Sequence, residues 1–351
     1  MSTNVQEPRP LPADLSESRP APGGATGRGG AAAAVMSPSV AALAALLVHQ
    51  LVPNKQVFPV ARAEGLAAWL RPYPLLLMAA LAAAILAAAA QWAWPRLRPW
   101  VRHHAPLLAG ALLALLLWDL ATLKLDLMPL PYFPGPSLVL QGMLEDRAML
   151  LDSTYHSLKL LLAGYAGGVV AGLFSGILMG WSRGVRYWGM PVMKLVGPIP
   201  ATAFIPLAMS VFPNAFVSGA SLIALAVWFP VTMLTTSGLA NVPLSYFDVA
   251  RTLGAGRLYL IFRVAVPAAL PHIFVGLFMG LGASFLTLIV AETVGVRSGL
   301  GWYLEWQRGY AEYAKVYGAL VIMAVFFSTI MTLLFKTRDR VLAWQKGVIR
   351  W

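Results

Sequence analysis

The residues with the chemistry to act fall in three places. Asp119, Lys194 and Glu292 are the ionisable side chains nearest to the middle of long apolar runs. A charge placed in hydrocarbon costs on the order of a few kcal/mol, so such residues mark pathways, relays or anchors. Each of the three also lies close enough to the end of its run to reach polar surroundings. A second set, Pro198, Pro200, Thr202, Ser284 and Thr287, offers hydroxyls and backbone groups freed by proline, which can solvate a small anion without a full countercharge. The competing use of those hydroxyls is a bond to their own helix backbone. The third place is the polar junction from Asn241 to Leu270. Ser245 is placed to cap a short helix whose third position is Asp248, and Gly254 is placed to end it. A second helical stretch from Arg257 to Val266 is closed by Pro267. Tyr246, Phe247 and Leu253 offer apolar contact to a partner's groove, and Arg251 adds charge complementarity. A helix lying on lipid headgroups suits the same arginines, and the residues alone leave those two readings level.

Nothing in the chain forms a catalytic constellation. The G-x-x-x-x-G-K-[ST] phosphate loop, the H-E-x-x-H metal helix and the G-x-S-x-G elbow are all missing. With no cysteine there is no disulfide, thiolate metal site or cysteine nucleophile. His103 and His104 lie in a basic junction and His156 and His272 at helix ends, positions that suit interfacial histidines rather than ligands.

These residues are carried by a membrane protein. Of 351 residues 59% are hydrophobic and only 11% charged, against about 25% charged in an average soluble domain. Eight apolar runs lie at 38–52, 73–94, 105–123, 157–180, 191–212, 217–240, 271–292 and 316–335. Most reach the roughly 20 residues that cross a 30 Å hydrocarbon core as helix, so the expected fold is an all-α, polytopic bundle. The first run is short, and whether it spans is open. The net charge of +12 is concentrated in clusters beside the apolar runs, where it orients a membrane protein rather than binding nucleic acid. Arg96, Arg98 and Arg102, then Arg183 and Arg186, then Arg251, Arg257 and Arg263, then Lys336, Arg338, Arg340, Lys346 and Arg350 mark every second junction as cytoplasmic. Asp126, Glu145, Asp146 and Asp152 fall on the opposite side. Lys55, Arg62 and Arg71 fit neither side cleanly. Residues 1–36, rich in Pro and Gly, are expected to form a flexible tail, and residues 339–351 a short cytoplasmic one.

Glycine and proline punctuate the runs. Gly164, Gly168, Gly172, Gly176 and Gly180 recur every four residues, and Gly276, Gly280 and Ser284 repeat the pattern, as ridges that let another helix approach closely. Such ridges serve static packing and sliding motions equally well. Pro198, Pro200 and Pro206 in one run predict a broken helix, whose freed carbonyls must face protein or a watery cavity.

The run Asp248, Val249, Ala250, Arg251, Thr252, Leu253, Gly254, Ala255, ending in Val264, Ala265, Val266, Pro267, resembles the EAA loop of ABC importer permeases. That pattern is Glu-Ala-Ala, three residues, Gly, nine residues, Ile, one residue, Leu-Pro, and the spacing agrees throughout. Asp248 stands for Glu, Val249 for Ala, Val264 for Ile and Val266 for Leu, changes that roughly keep class or bulk. The resemblance extends from the Pro134, Gly135, Pro136, Ser137 turn to the Gly299, Leu300, Gly301 turn, and is similar to permeases for nitrate, bicarbonate, taurine and aliphatic sulfonates. It implies a type I importer in the bacterial inner membrane: two permease copies, separate ATPase subunits holding ATP and magnesium, an extracytoplasmic substrate-binding protein, and no cofactor or catalytic residue on this chain. The family core of six helices corresponds to residues 105–338, and residues 37–104 form an extension with one or two membrane segments that the family pattern does not explain. The resemblance further implies that ATPase closure pulls the helix around Asp248 to Gly254 and tilts the attached helices. On the outer side Arg297, Trp302, Tyr303, Trp306 and Arg308 are candidates for contact with the binding protein, with membrane anchoring as the competing role of the aromatics.

Rival readings are a secondary carrier driven by an ion gradient, a membrane-embedded enzyme, and a scaffold whose loop only docks a partner. The missing acid–base cluster argues against the enzyme. A proton-coupled carrier calls for a carboxylate nearer the midplane than any seen here.

Overall fold

The computed structural model describes residues 28–55 and 71–344, all of them helix, turn or irregular chain, with no strand. The ends of both expected tails, Arg62, Lys346 and Arg350 lie outside the described residues. Twelve helices follow in order: α1 Arg28–Leu51, α2 Pro72–Ala93, α3 Arg98–Asp119, α4 Pro136–Glu145, α5 Arg147–Trp181, α6 Arg183–Val196, α7 Ile205–Val211, α8 Ala215–Ala240, α9 Leu244–Thr252, α10 Arg257–Val294, α11 Leu300–Gly309 and α12 Tyr313–Val341. Seven are long and apolar enough to cross a membrane, and α6 with α7, bent by 86° at their break, together have the length and composition of a broken span or a re-entrant loop. The first run does have spanning length, over Ala34–Leu51, and its helix starts at Arg28, inside the stretch expected to be tail.

The described residues fall into two compact units that divide at Trp118 and Asp119, with the short stretch from Asn54 belonging to the second. In the first, α1 lies along α2, burying Ala41, Ala42 and Ala45 beside Tyr73 and Leu77. The division runs through the outer end of α3 rather than in front of it.

The second unit is built around α8, which both glycine ridges grip. A Cβ on Gly164, Gly172, Gly176 or Gly180 of α5 would press into Ile223, Val231, Thr235 or Leu239 of α8, and Gly276 and Gly280 of α10 meet α8 again at Val231 and Val227. Small residues replace the hydrophobic drive that lipid cannot supply. Polar contacts add to the seam: Ser175 and Thr232 share a hydrogen bond of 2.7 Å, and Trp228 Nε1 donates to Ser175 at 3.0 Å. The apolar centre of Leu160, Leu161, Ile223, Val227, Val231 and Leu288 is closed by Phe285 stacked on Phe327 of α12 at 4.1 Å.

The break between α6 and α7 has the expected cause. Pro198 and Pro200 lack the amide hydrogens that would continue α6, and Pro206 opens α7. One side of the break rests on protein, with Phe204, Ile205 and Ala208 against Leu222 and Ala291, while Pro198 and Pro200 face outward.

Candidate functional site

The junction between α8 and α10 is a rigid elbow. Pro243, not Ser245, is the residue that starts α9: it takes the cap position with φ −58° and ψ 135°, and no side chain caps the helix. Proline fixes the turn into the helix from its own ring, two residues earlier than the serine, so Ser245 sits exposed within the first turn. The other end is as the glycine suggested. Gly254 has φ +83°, its N–H donates to Arg251 O at 2.9 Å, and Ala255 N–H donates to Ala250 O at 3.0 Å. This pair of bonds is a Schellman cap, which needs a left-handed residue at that position.

After Gly256 the chain re-enters a helix that Pro267 does not close. Residues Leu260–Ala265 widen into a π-helical turn, and Val266–Val294 continues from it, so that Arg257–Val294 is one 38-residue rod. The wide turn shifts the hydrogen-bond register just where Pro267 has no donor, and the proline falls in the first α-helical turn beyond it, where it is tolerated.

Phe247 does not face a partner. It is 9% exposed, packed among Leu239, Val242, Leu260, Ala265, Ala269 and Ile273, with its ring edge-on to Trp181 of α5 at 6.0 Å. Amphipathic geometry explains the difference: Phe247 and Ala250 share the face toward the bundle, three residues apart. The opposite face carries exposed Tyr246, Asp248, Val249 and Arg251, and Leu253 at the tip is 83% exposed. Leu244, Leu258, Tyr259 and Phe262, which no sequence motif singles out, are exposed on the same elbow. Asp248 and Arg251 form an ion pair at 3.1 Å, both exposed, worth about 0–1 kcal/mol in water. A cavity of about 640 Å³ beside the elbow is lined by Tyr246, Val249, Arg263, His272 and Trp344 among others.

Residues 168–342 match the family described as the binding-protein-dependent transport system inner membrane component. The taurine transport system permease protein TauC of Escherichia coli is 31% identical over 244 residues, covering 67% of this chain and 86% of that one. The chain belongs to this family.

The permease is also similar to the putative aliphatic sulfonates transport permease protein SsuC of Bacillus subtilis, 36% identical over 46% of this chain and 59% of the relative, and to the nitrate import permease protein NrtB of Synechocystis sp., 29% identical over 56% and 68%. It is therefore the membrane-spanning, non-catalytic subunit of an ABC importer, a multi-pass inner membrane protein whose family works with an ATPase and a substrate-binding protein.

The residues proposed from sequence to line a path lie on two elements that touch, since the turn Ala201–Phe204 packs against α10. Pro198, Pro200 and Thr202 sit at the break between α6 and α7. Ser284 and Thr287 are buried inside the bundle, and their hydroxyls donate to Leu281 O and Ala283 O of their own helix at 2.6 and 3.0 Å. Lys194 is exposed at the end of α6, whereas Asp119 and Glu292 are each 1% exposed. Glu292 does reach polar groups, though of the protein and not of solvent: it lies in the last turn of α10 beneath α5 and α11, where the Ser157 hydroxyl and the Gly301 N–H donate to it. On the outer side Trp306 and Tyr310 are exposed, the rings of Trp302, Trp306 and Tyr310 form a chain of tilted contacts at 5.5 and 5.3 Å, and Arg308 pairs with Glu305 at 2.6 Å. Tyr303 is fully buried and points the other way, so it offers no contact to an outer partner. Burial, then the Asp146 carboxylate that its hydroxyl donates to, push the Tyr303 phenol up, which keeps it a donor.

Proposed function

We propose that the elbow from Ser245 to Gly254 is where the ATPase subunits, carrying ATP and magnesium, drive this permease, and that two copies of the permease pair around a path for a small anion. The observation that carries the reading is the division of faces on α9. One face is fastened to the bundle through Phe247 and Ala250, and the other presents Tyr246, Val249 and Leu253 with Asp248 and Arg251 between them. An apolar knob with a charged rim on a short rigid helix suits a groove in a protein better than a flat lipid surface. Because the elbow runs into α10 with only the tight Gly254 turn between, a push on α9 reaches the membrane helices as a rigid-body movement. Residues 105–338 form the transmembrane domain in this reading, lipid surrounds its outward apolar faces, and residues 37–104 are an added membrane extension.

An anionic cargo is supported from two directions. The relatives named above handle taurine, sulfonates and nitrate. A cavity of about 460 Å³ on α6 is lined by Arg183, Arg186, Tyr187, Met190, Pro191 and Lys194. Arg186 is held by the carbonyls of Met179 and Gly180, while Arg183 and Lys194 have no ion pair among the described residues, leaving positive potential beside the broken segment. The path then runs past Pro198, Pro200 and Thr202, with Ser284 and Thr287 behind it in the bundle.

The test is ATP hydrolysis by the assembled complex in lipid. Gly254→Pro cannot adopt φ +83° and Asp248→Lys reverses the charge on the exposed face. Both are expected to abolish hydrolysis stimulated by the loaded binding protein while the permease remains in the membrane. Normal stimulation in both variants would rule the elbow out as the drive point, and uptake by the permease alone would favour an ion-driven carrier.

A further inference from the structure

The rod α10 leads from the elbow to the outer surface, and its last turn holds a carboxylate that water does not reach. Glu292 Oε1 accepts from the Ser157 hydroxyl of α5 at 2.7 Å, and Oε2 accepts from the Gly301 N–H of α11 at 2.8 Å. Ser157 Oγ accepts in turn from the Leu300 N–H at 2.8 Å. Two of the open donors at the start of α11 thus end on one node, and the carboxylate stands at the positive end of that helix. At its last residue the connecting turn has no room for a side chain: Gly299 has φ +105°, and a Cβ there would collide with the Glu292 carboxylate. A Cβ on Gly301 would stand 2.7 Å from the Ile289 carbonyl oxygen.

The body of α11 has a separate anchor. Tyr303 and Gln307 donate to Asp146 Oδ2 at 2.9 and 3.1 Å, and Lys315 at the start of α12 pairs with the same oxygen at 3.3 Å. One anchor ties α11 to α10, and the other ties it to the α4–α5 junction and α12.

We infer that Glu292 is a positioning residue of the transport cycle: it locks α11 to the outer end of α10, so that a displacement begun at the elbow is delivered to the outer mouth. This rests on the reading of the elbow as the ATPase drive point. Without the carboxylate, the Asp146 anchor and the apolar packing of Leu300 and Tyr303 against Leu150, Ala319 and Met323 keep α11 folded, while its hold on the rod is reduced to the connecting turn and the apolar contact with Ile289.

The chain has no cysteine, so single cysteines for spin labels can be introduced at exposed Met279 on α10 and exposed Tyr310 beyond α11. In the assembled complex, the distance between labels on the two permease copies is measured without nucleotide and after vanadate trapping. Both distances are expected to change in the parent protein. In Glu292→Ala the change at 279 persists and the change at 310 is lost, whereas Glu292→Gln, which keeps an acceptor for the Gly301 N–H, retains part of it. Ser157→Ala weakens the same node from α5 and serves if Glu292→Ala does not assemble. An undiminished change at 310 in the alanine variants overturns the inference, and so does loss at both positions, which marks a residue that only supports the fold. Absence of movement at 279 in the parent protein instead takes down the reading of the elbow, and this inference with it.

Discussion

The two ends of α10 are opposites in how they meet their surroundings. At the cytoplasmic end a Cβ added to Gly254 or Gly256 would meet nothing within 4 Å, and Leu253, Leu258, Tyr259 and Phe262 stand exposed. At the outer end Glu292, Leu300 and Tyr303 are buried, Gly299 and Gly301 are hemmed in, and the donors at the start of α11 find acceptors within the chain. The outer end completes itself, whereas the inner end leaves apolar surface whose burial, at about 25 cal/mol per Å², is gained only when something else covers it. Substitutions at the outer end should therefore read out in the stability of the isolated permease, and those at the tip of the elbow in assembly with its partners.

The largest effect on stability is expected from Gly299→Ala. A left-handed backbone costs a residue with a side chain about 1–2 kcal/mol, and displacing the Glu292 carboxylate orphans a buried donor at about 1–3 kcal/mol more. Denaturation of the purified permease should show a loss of about 2–5 kcal/mol as the sum of these terms. A loss below about 0.5 kcal/mol, the size of an ordinary surface substitution, would mean that the outer end is looser than its hydrogen bonds indicate.

Between the two extremes lies Phe247, which belongs to the elbow but faces the bundle. Phe247→Ala removes a ring from the pocket formed by Trp181, Leu260 and Ile273, a loss of about 3 kcal/mol by the scale of core truncations. It should also loosen α9, so that hydrolysis continues while stimulation by the binding protein falls. If stability is unchanged, the fastened face is wrongly identified and the contrast between the two faces of α9 disappears.

Much of this arrangement was legible in the residues, for identifiable reasons. The glycine ridges and the proline break depend on single residue types with strong backbone or packing consequences, and Gly254 ends α9 because its position demands a left-handed residue. What could not be read were relations between distant segments. Glu292, two residues from the end of α10, does reach polar groups, but they are supplied by α5 and α11, 135 residues away and nine residues on, and not by solvent or headgroups. Ser157, Leu300 and Gly301 gave no sign of converging there. Phe247 was assigned outward for a similar reason: three apolar residues on a short helix do not say which of them has the bundle behind it. Pro267 misled because the π turn that accommodates it leaves no mark in the sequence.

The smallest effect on stability and the cleanest test of the contrast is Leu253→Ala. At 83% exposure the side chain loses almost nothing on truncation, so denaturation should match the parent protein within about 0.5 kcal/mol. If the elbow tip is covered by an ATPase, the same change removes an apolar anchor from the interface, and the burial of a leucine side chain is worth about 1.5–3 kcal/mol. The affinity of the purified permease for its ATPase, measured by titration, should then fall by about tenfold, since 1.4 kcal/mol corresponds to that factor. Unchanged affinity with unchanged stability would place Leu253 against lipid or solvent in the complex, and the drive point would have to be sought at Leu258, Tyr259 and Phe262 on the other arm of the elbow.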